Sequence, residues 1–296
     1  MNIIYTYFRK PFSSAMKVFE SINAVREHTH SLKNQQLRLG FVPTMGALHQ
    51  GHLSLVRRAA QENDMVAVSI FVNPIQFNNP DDLDKYPRNI GADLELLNPL
   101  LREDDFVFVP SVSEIYPSAE THTYDFGDLA TVMEGRYRPG HFNGVGIVVN
   151  RLFRIVEPGT AYFGEKDFQQ LAIVRRLLGI EELPIEIVPC EIIREPDGLA
   201  MSSRNVRLTE EHRKAAPLIY QTLKNASAMT GSSDPGQLKQ YITATLNQPG
   251  KLEVEYVEFA DETTLTPVSN WSQAEKIRCF IAVQAGAVRL IDNIRV

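Results

Sequence analysis

Cysteine is scarce in this 296-residue chain: Cys190 and Cys279 stand far apart and form no C-x-x-C pair, which argues against a zinc knuckle and a disulfide framework. Long apolar runs are missing too, none approaching the roughly 18 residues that a membrane helix needs. Positive charge is not in excess. Thirty Lys and Arg against 36 Asp and Glu leave a formal net charge of −6, so a broad nucleic-acid footprint is not expected. Any anionic ligand must then meet locally placed cations. Internal repeats and low-complexity tracts are absent, as is any Ser-His-Asp or Cys-His set for covalent catalysis. These absences make the reducing cytoplasm the expected home, with neither nucleic acid nor membrane as a partner.

What is present reads as an ordinary globular protein, 44% hydrophobic and 22% charged, long enough for about two domains. The opening stretch "MNIIYTYFRKPFSSAM" is broken by Arg9, Lys10 and Pro11, and fits neither a secretory apolar region nor a good amphipathic helix. Residues 1–15 are read as a loose extension.

From Leu37 onward, β-rich runs alternate with helical patterns: "LRLGFVP", a helix from about His52 to Glu62, "MVAVSIFV", a helix near 89–101, and "FVFVP". "GVGIVVNRLFRIV" reads as a buried helix, "TAYFG" as a strand, "DFQQLAIVRRLLGI" as an amphipathic helix and "IEIVPC" as a strand. Such alternation predicts an α/β, Rossmann-like parallel sheet with helices on both faces over residues 16–190. Past Arg194 the texture changes to a loop, "REPDGLAMSSRNVRL", then helical stretches over 210–229 and 235–246, then two or three strands. Residues 191–296 are therefore expected to form a smaller C-terminal α+β domain.

Three polar clusters directly follow predicted strands: "PTMGALHQGH", "NPIQF" and "GEKDFQQ". In an open parallel sheet all such loops lie along the carboxyl edge, where ligands bind. Gly46 and Gly51 let the backbone approach a ligand, and the helix that follows offers free N–H groups and its positive dipole end to a phosphate. His49 and His52, three apart, share one helix face and can reach the same anion as neutral N–H donors. The rival reading is a zinc pair, with His141 as a third ligand. Lys166 suits phosphate neutralisation, with Asp167 beside it as an orienter or magnesium contact. Ser202, Ser203 and Arg204 in "MSSRN" can hold phosphate, and Asn73 and Gln76 can hydrogen-bond a hydroxy acid or amine.

The H-x-G-H turn combined with a distal serine-rich loop resembles the class I aminoacyl-tRNA synthetase and nucleotidyltransferase superfamily. "PTMGALHQGH", "SIFVNPIQF", "DLDKYPR", "EGRYRPGHFNGV", "YFGEKDFQQL" and "DGLAMSSRN" together resemble the pantothenate synthetase family, from about Met16 onward. That resemblance implies ligation of (R)-pantoate to β-alanine through a pantoyl adenylate, with ATP and Mg²⁺, in a homodimer. It places ATP against Met45, Gly46, Ala47, Leu48, His49, Gln50, Gly51 and His52. Further along, the same carry-over adds Gly164, Glu165, Lys166, Asp167, Ile193, Met201, Ser202, Ser203 and Arg204. His52 matches the family's catalytic acid; His49, Lys166 and Arg204 are expected to join it in catalysis. Pro43, Met45, Asn73, Gln76 and Gln170 are expected around the acid substrate, Gln76 and Gln170 matching the family's pantoate-binding glutamines.

Overall fold

The structure, a computed structural model, describes residues 16–33, 35–247 and 249–296. The extension expected over residues 1–15 lies outside the described residues. Six strands, β1 (Lys17–Phe19), β2 (Leu39–Thr44), β3 (Met65–Ile70), β4 (Phe106–Phe108), β5 (Thr160–Gly164) and β6 (Glu186–Cys190), form one parallel sheet in the order β1-β4-β3-β2-β5-β6. Eight helices accompany them: α1 (Ile22–Lys33), α2 (Gln50–Glu62), α3 (Pro80–Asp84), α4 (Ile90–Leu97), α5 (Val112–Ile115), α6 (Met133–Tyr137), α7 (His141–Val156) and α8 (Phe168–Glu181).

Strand alternation sends neighbouring side chains to opposite faces. Phe41, Ala67, Phe106, Phe108, Ala161 and Phe163 pack with α7 and α8 on one side. Val42, Val66, Val68, Val107, Tyr162 and Val188 pack with α2 and α4 on the other. Both faces are therefore apolar, as the unbroken hydrophobic runs predict. Each large side chain removed from water contributes about 1.5–3 kcal/mol, and Phe41, Phe106, Phe108 and Phe153 are almost completely buried.

The strand order reverses at β2, whose neighbours are β3 and β5. The carboxyl ends of β2 and β5 thus flank the crevice where open α/β sheets seat ligands. Both ends carry polar clusters picked out from the sequence.

The remaining strands, β7 (Glu253–Asp261), β8 (Ile277–Ala285) and β9 (Val288–Arg295), form a separate antiparallel sheet, accompanied by α9 (Glu210–Ala215), α10 (Leu218–Ala228) and α11 (Pro235–Leu246). Leu223, Leu238, Ile242, Phe259, Ile281 and Val283 build its own core. The helical stretch expected over 210–229 is two helices, because Pro217 has no N–H to continue the helical hydrogen-bond ladder. Asp234 and Gln237 cap α11 reciprocally, with Pro235 at the first turn. The stretch read as a loop after Arg194 holds more order than expected. Arg194 bridges Ala200 in a short antiparallel turn, and a 3₁₀ turn spans Ser203–Arg207.

Candidate functional site

At the end of β2 the chain turns through Gly46 and Ala47, both with positive φ, at +77° and +50°. Alanine in this region costs roughly 1–2 kcal/mol, and a buried carboxylate offsets it. Asp93 of α4 accepts from Ala47 N at 2.9 Å and Leu48 N at 2.7 Å. A Cβ at position 46 would sit 2.8 Å from Asp93 Oδ2, so glycine is required there.

His49 then caps α2. Its Nδ1 accepts from Gly51 N at 3.1 Å, while His52 Nδ1 accepts from His49 N at 3.3 Å. The histidines thus replace the Ser/Glu pair of an ordinary capping box. A Cβ at position 51 would meet His49 Cε1 at 2.8 Å, which is why the residue between them is glycine. Because each Nδ1 accepts, each neutral ring carries its proton on Nε2.

This narrows one expectation. Helix-start N–H groups at His49 and Gly51 are taken by the rings, and those of Ala47 and Leu48 by Asp93. Any anion in the cleft meets imidazole donors rather than these four amides.

Burial, then the Lys166 ammonium, lowers the His49 pKa to about 4. Burial, then His49 and Lys166, lowers that of His52 to about 3. The rings lie 4.1 Å apart between centroids, close enough that protonating one opposes protonating the other. The zinc reading finds no support in the position of His141. That residue is buried and donates its Nδ1–H to Gln76 O at 2.9 Å. Among the described residues, no group of three or more His, Cys, Asp or Glu is gathered to hold a metal ion.

A cleft opens between β2, β5 and the Met201–Arg204 loop. It brings together most of the residues singled out from the sequence: Pro43, Met45, His49, Gly51, His52, Asn73, Gln76, Gly164, Lys166, Asp167, Gln170, Ile193 and the whole of Met201–Arg204. Gly46, Ala47, Leu48, Gln50 and Glu165 are absent from its lining. Leu48 is core, Gln50 accepts from Arg57 on the surface, and Glu165 pairs with Arg278 at 3.2 Å. Gly46 and Ala47 shape the turn from behind.

The polar lining of the cleft includes the histidines, Lys166, Asp167 and the serine loop. Lys166 Nζ lies 3.6 Å from Asp167. Desolvation resists ionisation of Asp167, but Lys166, Arg204 and Arg138 hold its pKa below the usual carboxylate value. Ser203 Oγ donates to Ala47 O at 2.9 Å, tying the serine loop to the histidine turn. Arg204 and Arg207 both reach Asp82, each at 2.7 Å.

The apolar lining of the cleft includes Phe71, Val145, Val148 and Leu152. Gln76 donates to Met45 Sδ at 3.0 Å. Among the described residues the Gln170 side chain has no hydrogen-bond partner, whereas that of adjacent Gln169 is spent on the backbone at Leu129, Val132 and Glu134. Asn73, expected to bind substrate, has its amide engaged by Gln76, Gly144 O and Tyr116. It holds the floor of the site.

Sequence reading missed Asp93, Asp82 and Arg138. Asp82 lies inside a quoted motif, but its partners Arg204 and Arg207 are distant in sequence; Arg138 lies inside another and pairs with Glu134 four residues before it. Glu134, opening "EGRYRPGHFNGV", was also given no role. It receives Arg289 through two contacts of 2.7 Å and Tyr256 OH at 2.9 Å, latching the C-terminal sheet to α6.

Crevices at such switch points are where α/β enzymes seat nucleotides, and that is the class to which fold and cleft assign the chain. Comparison with known proteins supplies the family. Residues 17–295 match the family model described as pantoate-beta-alanine ligase, and the chain belongs to that family. The pantothenate synthetase of Flavobacterium psychrophilum is 46% identical over 280 residues, covering 94% of this chain and 99% of its own. That of Phocaeicola vulgatus is 48% identical over 283 residues, covering 95% and 99%. The crystal structure of pantothenate synthetase from Thermus thermophilus superposes with a TM-score of 0.85 at 38% identity, over 94% of this chain and 99% of its own. A pantoate-beta-alanine ligase from Francisella tularensis, solved in complex with βγ-ATP and β-alanine, superposes with a TM-score of 0.77 at 37% identity, over 95% and 97%.

Proposed function

We propose that this chain joins (R)-pantoate to β-alanine at the expense of ATP, through a pantoyl adenylate, releasing pyrophosphate and then AMP. The observation carrying this reading is the composition of the cleft. Its lining combines two imidazole N–H donors, Lys166 and a serine-arginine loop with apolar side chains and the amides of Gln76 and Gln170.

That lining suits both reactants. The apolar wall fits the gem-dimethyl carbon of pantoate, and the amides fit its hydroxyl groups. The pantoate carboxylate oxygen attacks the α-phosphorus, and the bond to the bridging oxygen of pyrophosphate breaks. His49 and His52 stabilise the developing phosphate charge by hydrogen bonding from Nε2, with Lys166, Ser202, Ser203 and Arg204 around the leaving pyrophosphate. The β-alanine amine then attacks the acyl carbon, loses a proton and expels AMP. Orientation of this kind supplies roughly 7–11 kcal/mol of barrier lowering, so no protein nucleophile is required.

A single half-exposed carboxylate, Asp167, fits Mg²⁺ carried in with ATP, since phosphate oxygens and water provide most ligands in such sites. Bound there, the ion would neutralise phosphate charge. The homodimer and the cytoplasmic setting expected from the sequence belong to the same proposal.

Product analysis tests it. Incubation with ATP, pantoate and β-alanine should yield AMP and pantothenate in equal amounts, and neither amino-acid ligation nor AMP should appear when pantoate is left out. ADP as the nucleotide product, or AMP without pantothenate, would refute the ligase reading.

A further inference from the structure

Two consecutive residues of β9 each hold a different loop of the cleft. Asp292 receives Arg194 through a bidentate pair, Nη1 at 2.7 Å and Nη2 at 2.9 Å. Arg194 also stacks 3.5 Å over the Tyr220 ring and bridges Ala200, immediately before the Met201–Arg204 loop. Asn293 instead donates its amide to two successive carbonyls, Glu165 O at 2.8 Å and Lys166 O at 2.9 Å.

Asn293 is itself fixed, because Arg278 Nη1 donates to its Oδ1 at 2.6 Å. The same guanidinium reaches the Glu165 carboxylate and stacks 4.1 Å over Phe168, gripping the Lys166 turn on both sides. Both β9 residues are buried, at 5% and 2% exposure, so neither faces solvent.

Strand geometry explains the arrangement. Adjacent side chains point to opposite faces, with Cα atoms about 3.8 Å apart. A carboxylate matches a guanidinium fork, and a carboxamide supplies the two N–H groups that paired carbonyls need. The two chemistries cannot be exchanged. β9 thereby fixes the spacing between Lys166 on one loop and Ser202–Arg204 on the other.

We propose that Asp292 and Asn293 are positioning residues for adenylate formation, setting the distance between the two loops that flank the triphosphate. This rests on reading the cleft as the ATP site. Neither residue touches substrate; each acts through the loop it holds.

The test measures single-turnover pyrophosphate release from ATP and pantoate, KM for ATP, and aminolysis of supplied pantoyl adenylate by β-alanine. Asn293→Ala should slow pyrophosphate release roughly 10–100-fold, the scale of an ångström-sized misplacement, while aminolysis stays within about twofold. In a Lys166→Ala background the same substitution should add less than about threefold, because the group it positions is gone. Asn293→Ser, with one donor, should fall between, and it carries the test if the alanine variant does not fold. Asp292→Asn should likewise slow the first half-reaction selectively.

Equal losses in both half-reactions, a full additive penalty on Lys166→Ala, or wild-type pyrophosphate release would each overturn the proposal. Failure of the underlying reading looks different: the wild-type protein itself would release no pyrophosphate from ATP and pantoate, or Lys166→Ala would release it normally.

Discussion

His49 and His52 cap one helix reciprocally, each ring nitrogen Nδ1 accepting a backbone N–H and leaving Nε2–H to face the cleft. A proton added at Nδ1 would break a cap bond and place a cation beside Lys166. Burial first, then the Lys166 charge and, for His52, the neighbouring His49, hold the rings neutral down to about pH 4 and 3. The kcat/KM for pyrophosphate release should therefore show no inflection near 6.5, the ordinary histidine value. A rise or fall of the free-enzyme profile centred there, abolished in His49→Ala or His52→Ala, would make one of them a titrating acid instead.

Removing a ring removes both a donor and a cap, and the two losses can be separated. His49→Ala should slow adenylate formation by about 10²–10³, the usual result of deleting one preorganised donor. It should also destabilise α2 by about 1 kcal/mol. His49→Asn should restore the cap but not the rate, because asparagine caps well but its short amide falls short of the cleft. Near-normal pyrophosphate release by either variant contradicts the phosphate assignment, whatever its melting temperature.

Folding depends on pH through His141 as well, the histidine buried beneath the site. Burial, then Arg138, lowers the His141 pKa to about 3, so the unfolded chain, with its histidine near 6.5, binds the proton first. Stability is complete above about 6.5 and is lost as pH falls from there towards 3. Between about pH 7 and 5 this one group should remove about 2 kcal/mol. Denaturant midpoints in His141→Gln should fall less steeply over that range than in wild type; an equal slope would deny His141 this role.

Asp93 should matter for the fold and the site together. Asp93→Ala leaves the Ala47 and Leu48 N–H groups without their charged acceptor and Ala47 in a strained backbone region. A loss of about 3 kcal/mol is expected, since each such bond is worth roughly 1.5–3 kcal/mol. The histidine turn should loosen with it, raising KM for ATP. Unchanged ATP kinetics in a destabilised variant would mean that Asp93 supports the fold alone.

Much of this molecule could be read from one line of text because its signals are local. "MVAVSIFV" and "TAYFG" are apolar on both faces, as parallel strands buried on both sides must be. His49, His52 and Lys166 sit directly after strands, where topology alone brings them together. β1 escaped notice because three residues, Lys17–Phe19, carry no period. The Pro217 break was present in the text but was overridden by the surrounding helical pattern. Asp93, Asp292 and Asn293 were invisible for a different reason. Their meaning lies in partners 45, 98 and 128 residues away, and a carboxylate or amide says nothing about which distant backbone it will meet.

A ligase of this kind makes an acyl adenylate first and consumes it only when an amine arrives. An acyl phosphate anhydride reacts readily with water, so the site must shield it between the two steps. Rapid quench of enzyme with ATP and pantoate, β-alanine withheld, reads that shielding. The expected result is a burst of about one equivalent of pyrophosphate per active site with little AMP, because the adenylate stays sequestered, followed by joint release of AMP and pantothenate once β-alanine is added. AMP appearing only together with pyrophosphate, with no isolable pantoyl adenylate at any time, would contradict it.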